Sequence, residues 1–155
     1  MKIKIISLLL MITLVVVISG CNSDFKNKGK LIYKSAKELE GSWQQEDYIS
    51  SSKFITITAN NIKQYKNKLR NIEGLSLDDE LAVYVTLGQR PTGGYNIQIR
   101  EIRKSNRTLI VTIKAVSPAP DQMVTQVITY PYDLVRLSAS EVKNVKNVLF
   151  YSVTG

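Results

Sequence analysis

No histidine occurs anywhere in the 155 residues, and there is a single cysteine, Cys21. The first absence removes Ser-His-Asp and Cys-His nucleophilic catalysis, which need an imidazole to take the proton from the nucleophile. It removes His-ligated zinc as well. The second excludes an internal disulfide, because one thiol has no partner in its own chain. Paired carboxylates or a Ser-Lys pair are the chemistries left open. Asp78, Asp79 and Glu80 are consecutive, so they alternate in direction or splay from a helix start. They read as helix-capping or loop charges rather than the facing pair that a glycosidase needs. No catalytic residue, metal site or cofactor is assigned.

Long apolar runs are also missing, except at the start. Met1-Lys2-Ile3-Lys4 leads into an apolar stretch from Ile5 to Ile18, with Ser7 and Thr13 its only polar members. Two lysines, an apolar segment and small residues are the layout of a secretory signal peptide over residues 1–20. The stretch counts 14 residues, short of the roughly 18 to 20 that a membrane-spanning helix needs. Ile18-Ser19-Gly20-Cys21 resembles the bacterial lipobox, an aliphatic residue and two small ones before a cysteine. The resemblance implies cleavage before Cys21 and lipidation of its thiol by diacylglycerol. Two acyl chains at one site anchor firmly, where one binds only marginally. The expected location is the outer face of the bacterial cell membrane, or the outer membrane in a host with two.

Acidic residues are the minority, 13 against 21 Lys and Arg, for a net charge of +8. Losing Lys2 and Lys4 with the signal lowers this to +6 and leaves 135 of the 155 residues, one domain's worth. Lys26, Lys28 and Lys30 lie in a polar stretch that reads as a flexible stalk over residues 21–30. Beside a membrane they favour anionic headgroups at about 1 kcal/mol per cation. Lys63, Lys66, Lys68 and Arg70 make a second cluster. An exported, lipidated chain is a poor match for nucleic acid.

Residues 31–155 read as a single globular domain, mainly β with some helix. Ser35-Ala36-Lys37-Glu38 has the form of a capping box opening a short helix that Gly41 stops, with Trp43 a buried anchor behind it. Lys53 to Thr58 alternates and is β-branched, which predicts a strand after a turn at Ser50-Ser51-Ser52. Ile62, Tyr65, Leu69 and Ile72 recur at the helical period and predict one amphipathic helix over about 60–72. Strands follow at Leu81 to Leu87, Tyr95 to Arg100, Thr108 to Lys114, Met123 to Tyr130, Tyr132 to Leu137 and Asn147 to Val153. The second and third of these should pair across Ser105-Asn106, Pro131 should sit at an edge or bend, and Ser138 to Glu141 reads as a brief helical turn. The sum is a small antiparallel curved sheet, sandwich-like or barrel-like.

Two stretches carry more than periodicity. Leu87-Gly88-Gln89-Arg90-Pro91-Thr92-Gly93-Gly94-Tyr95 is the first. The second runs through Ser117-Pro118-Ala119-Pro120, Met123-Val124-Thr125-Gln126 and Pro131-Tyr132. Together, over about 81–137, they resemble the C-terminal domain family of PrcB, a lipoprotein subunit of a bacterial surface protease complex. The resemblance implies a non-catalytic subunit that binds and stabilises a protein partner, a serine protease among the candidates. Pro91-Thr92-Gly93-Gly94-Tyr95 is also similar to a loop of chagasin-type cysteine protease inhibitors. Arg90 stands where that loop has Asn, and Gly93 where it has a second Thr. That likeness implies the alternative of an inhibitor using residues 90–95. A further alternative is an envelope lipoprotein binding anionic wall polymer through its basic helix face.

The residues singled out for partner binding are Arg90, Pro91, Thr92, Gly93, Gly94, Tyr95, Met123, Gln126, Pro131 and Tyr132. Pro91 presets a turn, and Gly93 and Gly94 permit backbone angles closed to other residues. They serve either a connection's geometry or the close approach of another chain. Tyr95 offers a ring with a polar tip, an interface anchor or a core residue. Gln126 reads as a buried polar group bonding the turn backbone, and Pro131-Tyr132 as a strand bend packed by an aromatic.

Overall fold

A computed structural model of the protein describes residues 27–36, 51–65 and 80–154. Among these residues the alternating apolar pattern gives seven strands: β1 (Lys30–Lys34), β2 (Ser51–Ile57), β3 (Glu80–Gly88), β4 (Asn96–Ser105), β5 (Thr108–Val116), β6 (Tyr132–Ser138) and β7 (Asn147–Thr154). Among the described residues two helical segments of four residues each lie between strands, α1 (Ile62–Tyr65) and α2 (Ala139–Val142). The strands form two sheets, ordered β1-β4-β5-β7 and β2-β3-β6. Among the described residues neither sheet closes on itself. Of the two architectures left open by the sequence, the sandwich is the one found.

The period of two explains which residues meet between the sheets. Leu81, Val83 and Val85 of β3 and Val135 and Leu137 of β6 pack on Ile97, Ile99 and Ile102 of β4 and Leu109, Val111 and Ile113 of β5. β4 breaks the period once. A bulge between Ile99 and Glu101 shifts its register against β5, so that Ile102 and not Glu101 joins the core. Without the extra residue, every later side chain of β4 would swap faces. A buried Val, Leu or Ile contributes about 1.5–3 kcal/mol, against about 1 kcal/mol for a hydrogen bond. Eleven such side chains therefore dominate the sandwich's stability.

The same bulge ties the sheets together. The Ile99 N–H donates to Asp133 Oδ2 at 2.8 Å, and the Leu134 N–H donates to Asp133 Oδ1 at 2.9 Å. Burial pushes the Asp133 carboxyl pKa up, while these two donors pull the other way. On another edge, Phe54 of β2 meets Phe150 of β7 with ring centroids 5.4 Å apart. The outer face of β2-β3-β6 carries its own cluster of Ile55, Ile57, Ala82 and Tyr84, with Ile62 and Tyr65 of α1 packed against it. Burial pushes the Tyr84 hydroxyl up to about 12, so it stays neutral.

Several expectations change. The run Met123 to Tyr130 alternates but forms no strand; its one bridge is Arg90 to Thr129. The backbone it bonds to is the turn at Arg90 and Gly93, and a turn cannot supply a ladder. β7 pairs with β5 in parallel, so the first sheet is mixed. Ser51 and Ser52 lie in β2 rather than in a turn, and Lys30 belongs to β1 rather than to a stalk. Ser35 continues β1, its N–H donating to the Arg100 carbonyl at 2.9 Å. Residues 37–41, Trp43, residues 1–26 with Cys21, and the helix beyond Tyr65 lie outside the described residues. The β4–β5 pairing is as expected, though the turn residues are Asn106 and Arg107, Asn106 with φ 54°. The helical turn after Ser138 is α2, where Glu141 accepts from the Ser138 N–H at 2.9 Å.

Candidate functional site

β3 ends at Gly88 and β4 begins at Asn96; β5 ends at Val116 and β6 begins at Tyr132. The two connections lie against each other. Arg90 and Thr129 exchange backbone bonds, N–H to carbonyl, at 2.8 and 3.0 Å. The Gly93 N–H donates to the Thr125 carbonyl at 2.9 Å, and Thr129 Oγ1 donates to the Thr92 carbonyl at 2.9 Å. At the root, the Pro131 carbonyl accepts from the Leu87 N–H at 3.0 Å and from Thr86 Oγ1 at 2.8 Å. The buried Thr86 oxygen in turn accepts from the Gly88 N–H at 3.0 Å. These bonds satisfy backbone that no sheet ladder reaches. At the far end, Ala119 and Gln122 close a tight turn, with Gln122 Oε1 accepting from the Ala119 N–H at 3.1 Å.

The glycines are where this close approach shows. A Cβ at Gly93 would run into Thr125 Oγ1. Gly94 has φ +82°, and a Cβ there would sit 2.8 Å from Val124 Cγ1 and 2.9 Å from Pro118 Cβ. The backbone that approaches this turn is therefore the chain's own second loop. Beside it the Arg90 guanidinium carbon lies 5.5 Å from the centroid of the Tyr95 ring, a cation–π distance. Both residues are half-buried.

The ten singled-out residues divide on this geometry. Arg90 to Tyr95 form one wall, and Met123 and Gln126 lie on the loop bonded to it. Met123 is 98% exposed and Ile128 47% exposed, an apolar tip on a polar loop. Gln126 is exposed and not the buried polar group expected; the hydroxyl that bonds the turn backbone belongs to Thr129. Pro131 is buried, and its carbonyl is occupied by β3. Tyr132 stacks on Tyr84, centroids 5.7 Å apart, on the outer face of β2-β3-β6 and apart from the loop pair. Thr86, Thr125 and Thr129 were not legible as site residues, because their partners are backbone atoms far along the chain. The one local signal is that Thr125 and Thr129 share a parity in the alternating run.

Among the described residues, no group of three or more His, Cys, Asp or Glu could hold a metal ion. None of their helices is long and apolar enough to cross a membrane. Residues 81–138 match the model of the family described as PrcB C-terminal. The match spans β3 to β6, so both connections lie inside it. Neither a search of curated proteins nor one of solved structures gave a match.

Proposed function

We propose, from the match of residues 81–138 to the PrcB C-terminal family, that the protein is a non-catalytic, lipid-anchored subunit of a bacterial surface protease complex. In this reading Cys21 carries the acyl chains, the domain stands on the outer face of the membrane, and the partner is a protease that the domain binds and stabilises. The histidine-free sequence supports binding over catalysis.

One observation carries the binding surface: two connections within the matched stretch interlock through four hydrogen bonds and present Met123 almost fully to water. A rigid support under a flexible, polarizable thioether suits docking into an apolar pocket of the partner. Apart from Ile128, the loop's other exposed residues are small or polar, which suits the rim of such a contact.

The test starts from native membranes, solubilised in detergent, with a tagged full-length chain as bait. A stoichiometric protease partner should co-purify, and Met123→Asp should lose it while melting at the wild-type temperature. Recovery of the chain alone, or a variant that holds its partner as well as wild type, would falsify the docking role. Labelled palmitate should enter the wild-type chain and not Cys21→Ala. A Cys21→Ala chain that still travels with membranes would overturn the anchor.

A further inference from the structure

The outer face of β1-β4-β5-β7 carries a pocket of about 260 Å³ lined by Lys34, Arg100, Glu101, Thr112, Lys114 and Val153. It lies apart from the two connections described above and draws on β1 and β7, which fall outside the matched stretch. The β4 bulge builds it. The register shift between Ile99 and Glu101 lets Arg100 and Glu101, neighbours in sequence, line the same hollow. In an unbroken strand they would alternate between faces.

One of these cations, Arg100, is held in place. Arg100 Nη1 donates to Gln98 Oε1 at 3.0 Å, and Gln98 Nε2 donates to Ser35 Oγ at 2.8 Å. The Arg100 carbonyl accepts from the Ser35 N–H at 2.9 Å, so the end of β1 fixes both ends of this residue. Glu101, the single acidic lining residue among the described residues, is paired with Arg103 at 3.4 Å. Lys34, Arg100 and Lys114 therefore leave the pocket with an excess of positive charge. Beneath them Thr112 is 3% exposed, and its buried Oγ1 has no hydrogen-bond partner among the described residues. A buried hydroxyl without a partner forfeits the hydration it had in the unfolded chain, and an orphan of this kind asks for a ligand.

We propose that this pocket binds a phosphate group. The tetrahedral oxygens of a phosphate ester are spread so that they can meet the Arg100 fork, two ammonium groups and the Thr112 hydroxyl from different directions. A carboxylate's two oxygens lie in one plane on one side of its carbon, a poorer match for donors spread over three strands. Val153 on one side gives an apolar wall for the carbon side of a phosphate ester. The phosphate comes either from a wall polymer or from a lipid headgroup, both of which an exported chain meets. The inference does not rest on the protease reading: Met123→Asp leaves this pocket untouched.

The test uses the purified full-length chain in neutral detergent, titrated with inorganic phosphate at constant ionic strength and followed by amide NMR shifts. Saturable shifts confined to residues 98–101 and 112–114 are expected. Arg100→Gln should weaken binding at least about tenfold, and the near-isosteric Thr112→Val by a smaller factor, with the fold checked by circular dichroism. Lys114→Met, on a different strand, covers the case in which Arg100→Gln disturbs the bulge. A second arm compares a soluble glycerol phosphate polymer with phosphatidylglycerol vesicles, and the source is whichever loses binding with Arg100→Gln. A linear, unsaturated response shared by all lysines, or wild-type affinity in both Arg100→Gln and Lys114→Met, overturns the proposal.

Discussion

Where β3 passes to β4, and again where β5 passes to β6, the chain leaves a core of eleven aliphatic side chains for two connections that contribute no residue to either buried cluster. The core is held by non-directional burial that many side chains share. The connections are held by a few directional bonds, Arg90 with Thr129, Gly93 with Thr125 and Thr129 with Thr92. Each contributes about 0.5–1.5 kcal/mol. The first arrangement resists local damage because loss is spread over neighbours. The second is rigid only while each bond is intact, and regions of this kind open first. A docking surface built so can be shaped by sequence without disturbing the sandwich that carries it.

The largest expected effect breaks the first region. Ile113 is fully buried between the sheets, and Ile113→Ala should cost about 2–5 kcal/mol. Denaturant unfolding should show a lower midpoint with an unchanged slope. A loss below about 1 kcal/mol would mean that the core relaxes around the cavity and is not the shared scaffold described.

Next in size is Gly94→Ala. The left-handed backbone costs a residue with a side chain about 1–2 kcal/mol, and the new methyl also pushes on Val124 and Pro118. The damage should stay local. Hydrogen exchange should speed up at the Arg90, Gly93 and Thr129 amides while the β4 and β5 amides keep their protection. Uniform acceleration across both would show that the two regions are one cooperative unit. Thr129→Val sharpens the same comparison at about 1 kcal/mol, removing the hydroxyl bond to Thr92 and leaving the backbone bridge to Arg90.

This division also marks what the sequence could tell. β3, β4, β5, β6 and β7 are legible because their inward residues alternate, and the Ser105–Thr108 hairpin because its turn is short. Alternation does not record strand direction, so the parallel pairing of β7 with β5 was not legible. β1 was obscured by the capping-box form of Ser35 to Glu38, which reports local chemistry and not the Arg100 carbonyl that Ser35 meets across the sheet. Met123 to Tyr130 has a strand's pattern but a turn for a neighbour. At the candidate site, Pro91, Gly93 and Gly94 announced a tight turn. The loop that fills the space beside it is some thirty residues away in the chain, and only the fold brings Thr125 and Thr129 there.

The smallest effect tests the link between the sheets at Asp133. Burial raises its carboxyl pKa above 3.8, against the pull of the Ile99 and Leu134 N–H donors. The folded chain therefore keeps this proton at pH values where the unfolded chain has released it. The contribution to stability is fully present below about pH 3.8 and is lost as pH rises through the folded value. Asp133→Asn retains an acceptor oxygen for the Ile99 N–H and cannot ionise. The melting temperature of the variant relative to wild type should therefore rise between about pH 3 and about pH 7. A difference constant across that range would mean that the charged form costs the fold nothing. The Ile99 bond would then compensate burial in full, and the bulge would be as well satisfied as the core around it.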